Sequence, residues 1–185
     1  IRPGLSREEY QESFIAPPKC TDLADYISRA VKGFELMQTP EQLRLVTLDL
    51  FRQLQQDRVV YAEIRFAPLL HTQRGLGPEE VVEAVLAATR EGMGMSGVEA
   101  RLILCTLRRF DEAQSLRTAR LADHFRGTLV AGLDLAGDEA GYPLDAHIKA
   151  FEYAFSRGIP CTAHAGEARG AESLWDTLRE LHPRR

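Results

Sequence analysis

A histidine and a glutamate, three residues apart, close the last apolar segment of the chain. His164 and Glu167 follow the run that begins at Pro160, and Gly166 lies between them. A neutral imidazole can bind a metal ion, and a carboxylate can move a proton during a reaction. Gly166 allows the backbone to turn sharply and to come close to a ligand. The spacing predicts a reactive turn at the end of a strand; a core histidine beside a solvated glutamate is the alternative.

A second group of polar residues lies at the end of the previous apolar segment of the chain, residues 128–135. Residues 131–139 contain two glycines and three carboxylates, at Asp134, Asp138 and Glu139. Gly137 would present a backbone N–H group that no side chain shields. An acidic loop with a glycine turn is the alternative. In a barrel of parallel strands the two groups would lie next to each other at the same end.

Apolar runs rich in β-branched and aromatic residues alternate with helical patterns along the chain. The runs predict four strands, over residues 59–66, 100–107, 128–135 and 160–165. A helix is predicted after each strand, over residues 77–91, 111–125, 144–157 and 171–181. Three more helices are predicted before the first strand, over residues 6–14, from Thr21 or Asp22 onward, and over 39–57. Gly92, Gly94 and Gly97 are expected to lie in a loop.

This alternation predicts a single α/β domain over residues 1–185. Strands joined by helical crossovers are parallel, and continuous apolar strands indicate helices on both faces of the sheet. Two architectures fit: an open doubly wound sheet, or part of a (β/α)8 TIM barrel. A whole barrel takes about 250 residues, so four strands represent about half of one. Because the chain begins at Ile1 without Met, we expect it to be part of a longer protein.

Composition and charge exclude several classes of function. The 185 residues are 44% hydrophobic with a formal net charge of −4, which predicts no nucleic-acid partner and no membrane partner. No apolar run reaches the roughly 18 residues of a membrane span, and no signal peptide is recognisable. Three cysteines without a C-x-x-C motif argue against a disulfide framework or a thiolate zinc site. We expect a cytoplasmic protein, and its oligomeric state stays open.

Four segments of the chain resemble the adenosine deaminase family. They are Asp-Leu-Ala-Gly-Asp-Glu at 134–139, His-Ala-Gly-Glu at 164–167, and the strands at 60–68 and 101–105. The resemblance covers nearly the whole chain in consistent order, and the two motifs together are far more specific than either alone. The other class of zinc deaminase carries H-x-E with P-C-x-x-C, a pattern that is absent here.

The resemblance implies a (β/α)8 barrel with one catalytic zinc ion (Zn2+), in an enzyme of purine metabolism. Such an enzyme removes the 6-amino group of adenosine or deoxyadenosine by hydrolysis and releases ammonia, so a purine nucleoside is the expected substrate. By this resemblance His164 is a zinc ligand, Glu167 gives a proton to ring nitrogen N1, and the N–H of Gly137 meets ring nitrogen N3. The apolar residues that would line the purine pocket are Leu23, Tyr26, Ile27 and Leu107.

The chain departs from the family pattern at the metal site. The family carries a His-x-His on its first barrel strand, and the five histidines here are all well separated. The family's later catalytic histidine and zinc-binding aspartate would lie beyond Arg185. We therefore expect activity from the complete protein and not from this chain alone. Two alternatives remain: a deaminase of adenine or another 6-aminopurine, and a non-catalytic α/β domain that binds a small ligand.

Overall fold

Four parallel strands form one sheet, and their order in the sheet is their order in the chain. The computed structural model describes residues 4–15 and 17–184. The strands are β1 (Tyr61–Phe66), β2 (Glu99–Leu107), β3 (Val130–Ala136) and β4 (Cys161–Ala163). A doubly wound sheet reverses its strand order at a switch point, whereas these strands advance in one direction. The chain therefore folds as part of a (β/α)8 barrel, and the doubly wound alternative is wrong.

Helices alternate with the strands and pack against the sheet. Those that follow the strands are α4 (Pro78–Ser96), α5 (Glu112–His124), α6 (Ile148–Ser156) and α7 (Gly170–Leu181). Before β1 lie α1 (Arg7–Phe14), α2 (Leu23–Glu35) and α3 (Pro40–Gln56). Two short 3-10 helices, Pro68–His71 and Asp145–His147, complete the regular structure that we describe.

Several helices begin where local capping signals predict. The Ser6 hydroxyl accepts a hydrogen bond from the backbone N–H of Glu9, and the Glu9 side chain accepts one from the backbone of Ser6. This reciprocal pair satisfies two donors that the start of a helix otherwise leaves free. Thr39 caps α3 by accepting from the backbone N–H of Gln42, and Pro40 occupies the first helical position, where no donor is needed.

The predicted end of α4 is wrong. The helix continues through Gly92 and Gly94 to Ser96, and Gly97 closes it with a left-handed φ of 76°. Gly92 lies against the ring of Phe51 on α3, where an added Cβ would stand 2.2 Å from a ring carbon. The glycine thus permits a close approach of two helices and does not mark a loop.

The last elements are shorter than predicted. α6 begins at Ile148 and not at residue 144, because residues 145–147 form a 3-10 helix. β4 has only three residues, which pair with Leu133, Asp134 and Leu135 of β3. His164 therefore stands immediately after the last paired residue of the sheet.

The main hydrophobic core lies between the sheet and the helices α4, α5 and α6. Its largest fully buried side chains from the sheet and from α6 are Leu102, Leu104, Leu133, Leu135 and Phe151. Ile103 and Cys105, on the other face of β2, are buried as well. Both faces of this strand are therefore covered, which explains its continuous apolar run.

Cys20, Cys105 and Cys161 are free thiols. Cys105 and Cys161 are buried in strands, where burial raises the pKa of each thiol. In the part of the chain that the structure describes, no helix combines the length and the apolar character needed to cross a bilayer.

Candidate active site

His164 is held from two sides at the end of β4. Its backbone N–H donates to the carbonyl oxygen of Leu135 at 2.8 Å. Its ring nitrogen Nδ1 lies 3.1 Å from the same oxygen and 3.2 Å from Oδ2 of Asp134. Both of these oxygens accept hydrogen bonds, so a neutral ring carries its proton on Nδ1 and keeps a lone pair on Nε2. Arg65 donates toward that Nε2 across 3.3 Å.

Asp134 is fully buried in the middle of β3 and joins three strands. Thr162 on β4 donates to its Oδ1 at 2.5 Å, and Nε of Arg65 on β1 lies 2.9 Å from its Oδ2. A buried carboxylate is stable only when such partners replace water. Its hydrogen bond to His164 raises the pKa of that imidazole, so the ring is more basic.

Glu167 and His164 line the same cavity, which has a volume of about 320 Å³. Glu63, Arg65, Asp134 and Thr162 also line it, so the walls are largely polar. Glu167 itself is exposed. The structure therefore brings an imidazole and a carboxylate together at the carboxyl ends of the strands, where barrel enzymes carry out their chemistry.

The turn that carries Glu167 rests on a buried carboxylate, Glu139, which is 2% exposed. Glu139 accepts hydrogen bonds from the backbone N–H groups of Gly166, Ala168 and Arg169. Gly166 adopts a φ of 84°, a left-handed conformation that favours glycine. Glu139, the last residue of the sequence motif at 134–139, thus holds the turn after β4 in place.

Three of the five residues predicted to bind the purine line a second cavity of about 200 Å³. They are Ile27 on α2, Leu107 at the end of β2, and Gly137 after β3. The same helix carries Leu23, which is half-buried, and Tyr26, which is 60% exposed. Those two side chains are not among the residues that line this cavity.

Three residues of this region, Asp134, Arg65 and Glu139, support the site although the sequence assigned them no role of their own. Asp134 carried one signal, since it is a carboxylate inside the apolar run Leu133–Leu135 and so requires buried partners. Arg65 gave none, because its contact with His164 joins positions 99 residues apart.

The described residues contain no group of three His, Cys, Asp or Glu side chains that could together hold a metal ion. The sequence likewise lacks the His-x-His pair that supplies two of the metal ligands in the family. Among the residues that the sequence singled out, His164 is the one whose geometry suits a metal ligand.

Parallel strands in barrel order, with polar side chains at their carboxyl ends, define the class of (β/α)8 barrel enzymes. Within that class, the chain belongs to the adenosine deaminase family, whose family model matches residues 3–185. Eight of the curated adenosine deaminases that it matches are 35–44% identical to it. Adenosine deaminase from Clostridium acetobutylicum is 35% identical over 180 residues, which is 97% of this chain and 54% of that protein.

Solved structures show the same fold. Adenine deaminase from Arthrobacter aurescens matches with a TM-score of 0.86 and 28% identity, over 100% of this chain and 55% of that one. An amidohydrolase from Burkholderia ambifaria with bound Zn gives a TM-score of 0.86 at 22% identity, over 98% of this chain and 50% of that one. The chain thus spans about half the length of the proteins that it matches.

Proposed function

We propose that the complete protein hydrolyses the 6-amino group of adenosine or deoxyadenosine and releases ammonia. The observation that carries this proposal is the shared cavity of His164 and Glu167 in a chain of the adenosine deaminase family. Relatives named adenosine deaminase match over nearly all of this chain, which supports a nucleoside as the substrate.

The proposal includes a zinc ion, which His164 would bind through Nε2. Metal-binding histidines almost always donate their other ring N–H to a carboxylate or a backbone carbonyl. Nδ1 of His164 has both partners, Asp134 and the carbonyl of Leu135, so the ring fits the role once the NH1 group of Arg65, 3.3 Å from Nε2, gives way to the ion. Zinc in a catalytic site takes about three protein ligands, and the complete protein must supply the others. When bound, the ion would supply a water with a pKa lowered to about 7.

The residues of this chain would bind the purine and move protons around it. Glu167 would give a proton to ring nitrogen N1, which makes the adjacent carbon C6 a better target for water. The backbone N–H of Gly137 would donate to ring nitrogen N3. Ile27 and Leu107 would exclude water from one part of the base. Asp134 would keep the ring of His164 in one tautomer and orientation.

Adenine is the second candidate substrate, because the Arthrobacter neighbour is an adenine deaminase with the same fold. The two candidates differ in whether the pocket must accept a sugar. A panel of adenosine, deoxyadenosine, adenine and adenosine monophosphate, assayed with the complete zinc-loaded protein, distinguishes them through kcat/KM. The proposal predicts the highest kcat/KM for one of the two nucleosides. A higher value for adenine would contradict it, and so would activity that survives complete removal of zinc.

A further inference from the structure

The backbone on both sides of Glu167 is attached to the buried carboxylate of Glu139. Oε1 of Glu139 accepts from the N–H of Gly166 at 2.6 Å, and Oε2 accepts from the N–H of Ala168 at 2.6 Å. These amides belong to the residues immediately before and after Glu167. Oε2 also accepts from the N–H of Arg169 at 3.0 Å. The backbone at Glu167 is therefore held on both sides by these bonds.

Glu139 also anchors the helix that follows the turn. The Ser173 hydroxyl, in the first turn of α7, donates to Oε1 of Glu139. Burial raises the pKa of the Glu139 carboxyl, but the hydrogen bonds from Ser173 and from the three backbone amides outweigh burial and lower it to about 2. The side chain is therefore ionised at neutral pH, and a carboxylate offers only acceptors to these four donors.

Arg108, at the end of β2, connects this carboxylate to His164. It is 3% exposed, and its NH2 group donates to the backbone carbonyl of His164 at 3.0 Å. The same NH2 group lies 4.0 Å from Oε1 of Glu139. One buried pair of opposite charges thus holds the backbone of both candidate reactive residues.

We propose that Glu139 is a positioning residue, which fixes the Glu167 carboxylate at a set distance from His164. This inference rests on the proposed function, because it assigns Glu139 a role in placing the proton donor of that reaction. Glu139 does not line the cavity that His164 and Glu167 share, so its effect passes through the backbone of the turn. Displacement of a reacting group by about 1 Å can cost about 10²-fold in rate.

The test is the isosteric change Glu139→Gln in the complete protein. The glutamine side chain keeps one acceptor oxygen, and its NH2 group faces N–H donors instead of accepting from them. We expect kcat for adenosine to fall by up to about 10²-fold, with little change in KM and in zinc content. Glu172→Gln is the matched control, since Glu172 is an exposed glutamate in the first turn of α7. It should leave all three quantities unchanged.

A double-mutant comparison distinguishes positioning from general damage to the fold. If Glu139 acts through Glu167, then adding Glu139→Gln to a Glu167→Gln protein should lower kcat no further. An equal fold-loss in both backgrounds would overturn the proposal. Should Glu139→Gln fail to fold, Ser173→Ala removes one of the four donors and leaves the carboxylate. Ser173→Ala should lower kcat less than Glu139→Gln is expected to, and only in the protein that keeps Glu167. An equal fold-loss in the Glu167→Gln background would overturn the proposal.

Hydrogen exchange gives a readout that does not depend on activity. The amides of Gly166, Ala168 and Arg169 should exchange faster in Glu139→Gln than in Glu172→Gln, whereas the amides of β2 and β3 should not. Unchanged exchange at the three turn amides would overturn the proposal. If Glu167→Gln alone leaves kcat unchanged, the proposed function fails, and the exchange rates still decide whether Glu139 holds the turn.

Discussion

His164 depends on Asp134 for both its orientation and its basicity. The buried carboxylate lies 3.2 Å from Nδ1 and raises the pKa of the ring. Thr162 and Arg65 in turn fix the carboxylate by hydrogen bonds to its two oxygens. The sheet therefore fixes Nδ1 of the imidazole, whereas Nε2 has a single partner in the described part of the chain, the NH1 group of Arg65 at 3.3 Å.

This arrangement predicts that His164→Ala weakens zinc binding by the complete protein. Even the loss of a partner that supports a metal ligand costs about 10- to 100-fold in affinity, so loss of the ligand itself should cost at least as much. Zinc content after dialysis and a competitive chelator titration measure the effect. His124→Ala, at an exposed histidine at the end of α5, is the control and should bind zinc normally. Equal zinc affinity in the two variants would remove His164 from the metal site.

The sequence predicts the residues of the reactive turn, but it does not predict which other residues hold them by hydrogen bonds. His164 and Glu167 are three positions apart, so a single stretch of chain reveals them. Glu139 reaches Gly166 across 27 positions, and Arg65 reaches His164 across 99. Contacts of this kind are made by the packing of strands, and no local pattern contains them.

The helices were predicted best where their signals are local. Hydrogen bonds within four residues cap α1 and α3 at the predicted starts. Within α4, by contrast, Gly92 packs against Phe51, which is 1% exposed and belongs to another helix, and the helix ends only at Gly97. A glycine that admits a neighbouring ring and a glycine that ends a helix look alike in a sequence.

Two glycines of α4 therefore make a matched pair for substitution. Gly92→Ala would place a Cβ 2.2 Å from the ring of Phe51, while Gly94→Ala would meet nothing within 4 Å. Overpacking a buried contact costs about 1–3 kcal/mol, more than the 0.5–1 kcal/mol or so that alanine gains in a helix. Thermal unfolding of the complete protein should show a lower melting temperature for Gly92→Ala and an equal or higher one for Gly94→Ala. Equal stability of the two variants would contradict the close packing of α3 on α4.

On the scale of the whole molecule, the described sheet is an open arc. β1 pairs only with β2, and β4 only with β3, among the described strands. Every strand of a closed barrel has two neighbours, so we expect the complete protein to place further strands against both edges. The order of strands and helices in the sequence allowed either a barrel or a doubly wound sheet. The order in which the strands pair distinguishes these two architectures. Strand pairing depends on contacts between residues far apart in the chain, so local sequence patterns do not contain it.

We propose that the turn after β4 belongs to the active site of a zinc-dependent deaminase. The most direct test of this claim compares Glu167→Gln with Glu172→Gln, two isosteric changes five positions apart, in the complete zinc-loaded protein. Adenosine loss, followed by absorbance, gives kcat and kcat/KM for each variant. Loss of a general acid–base group should lower turnover by Glu167→Gln about 10²-fold or more, with zinc content and melting temperature unchanged. Equal turnover by the two variants would contradict the claim.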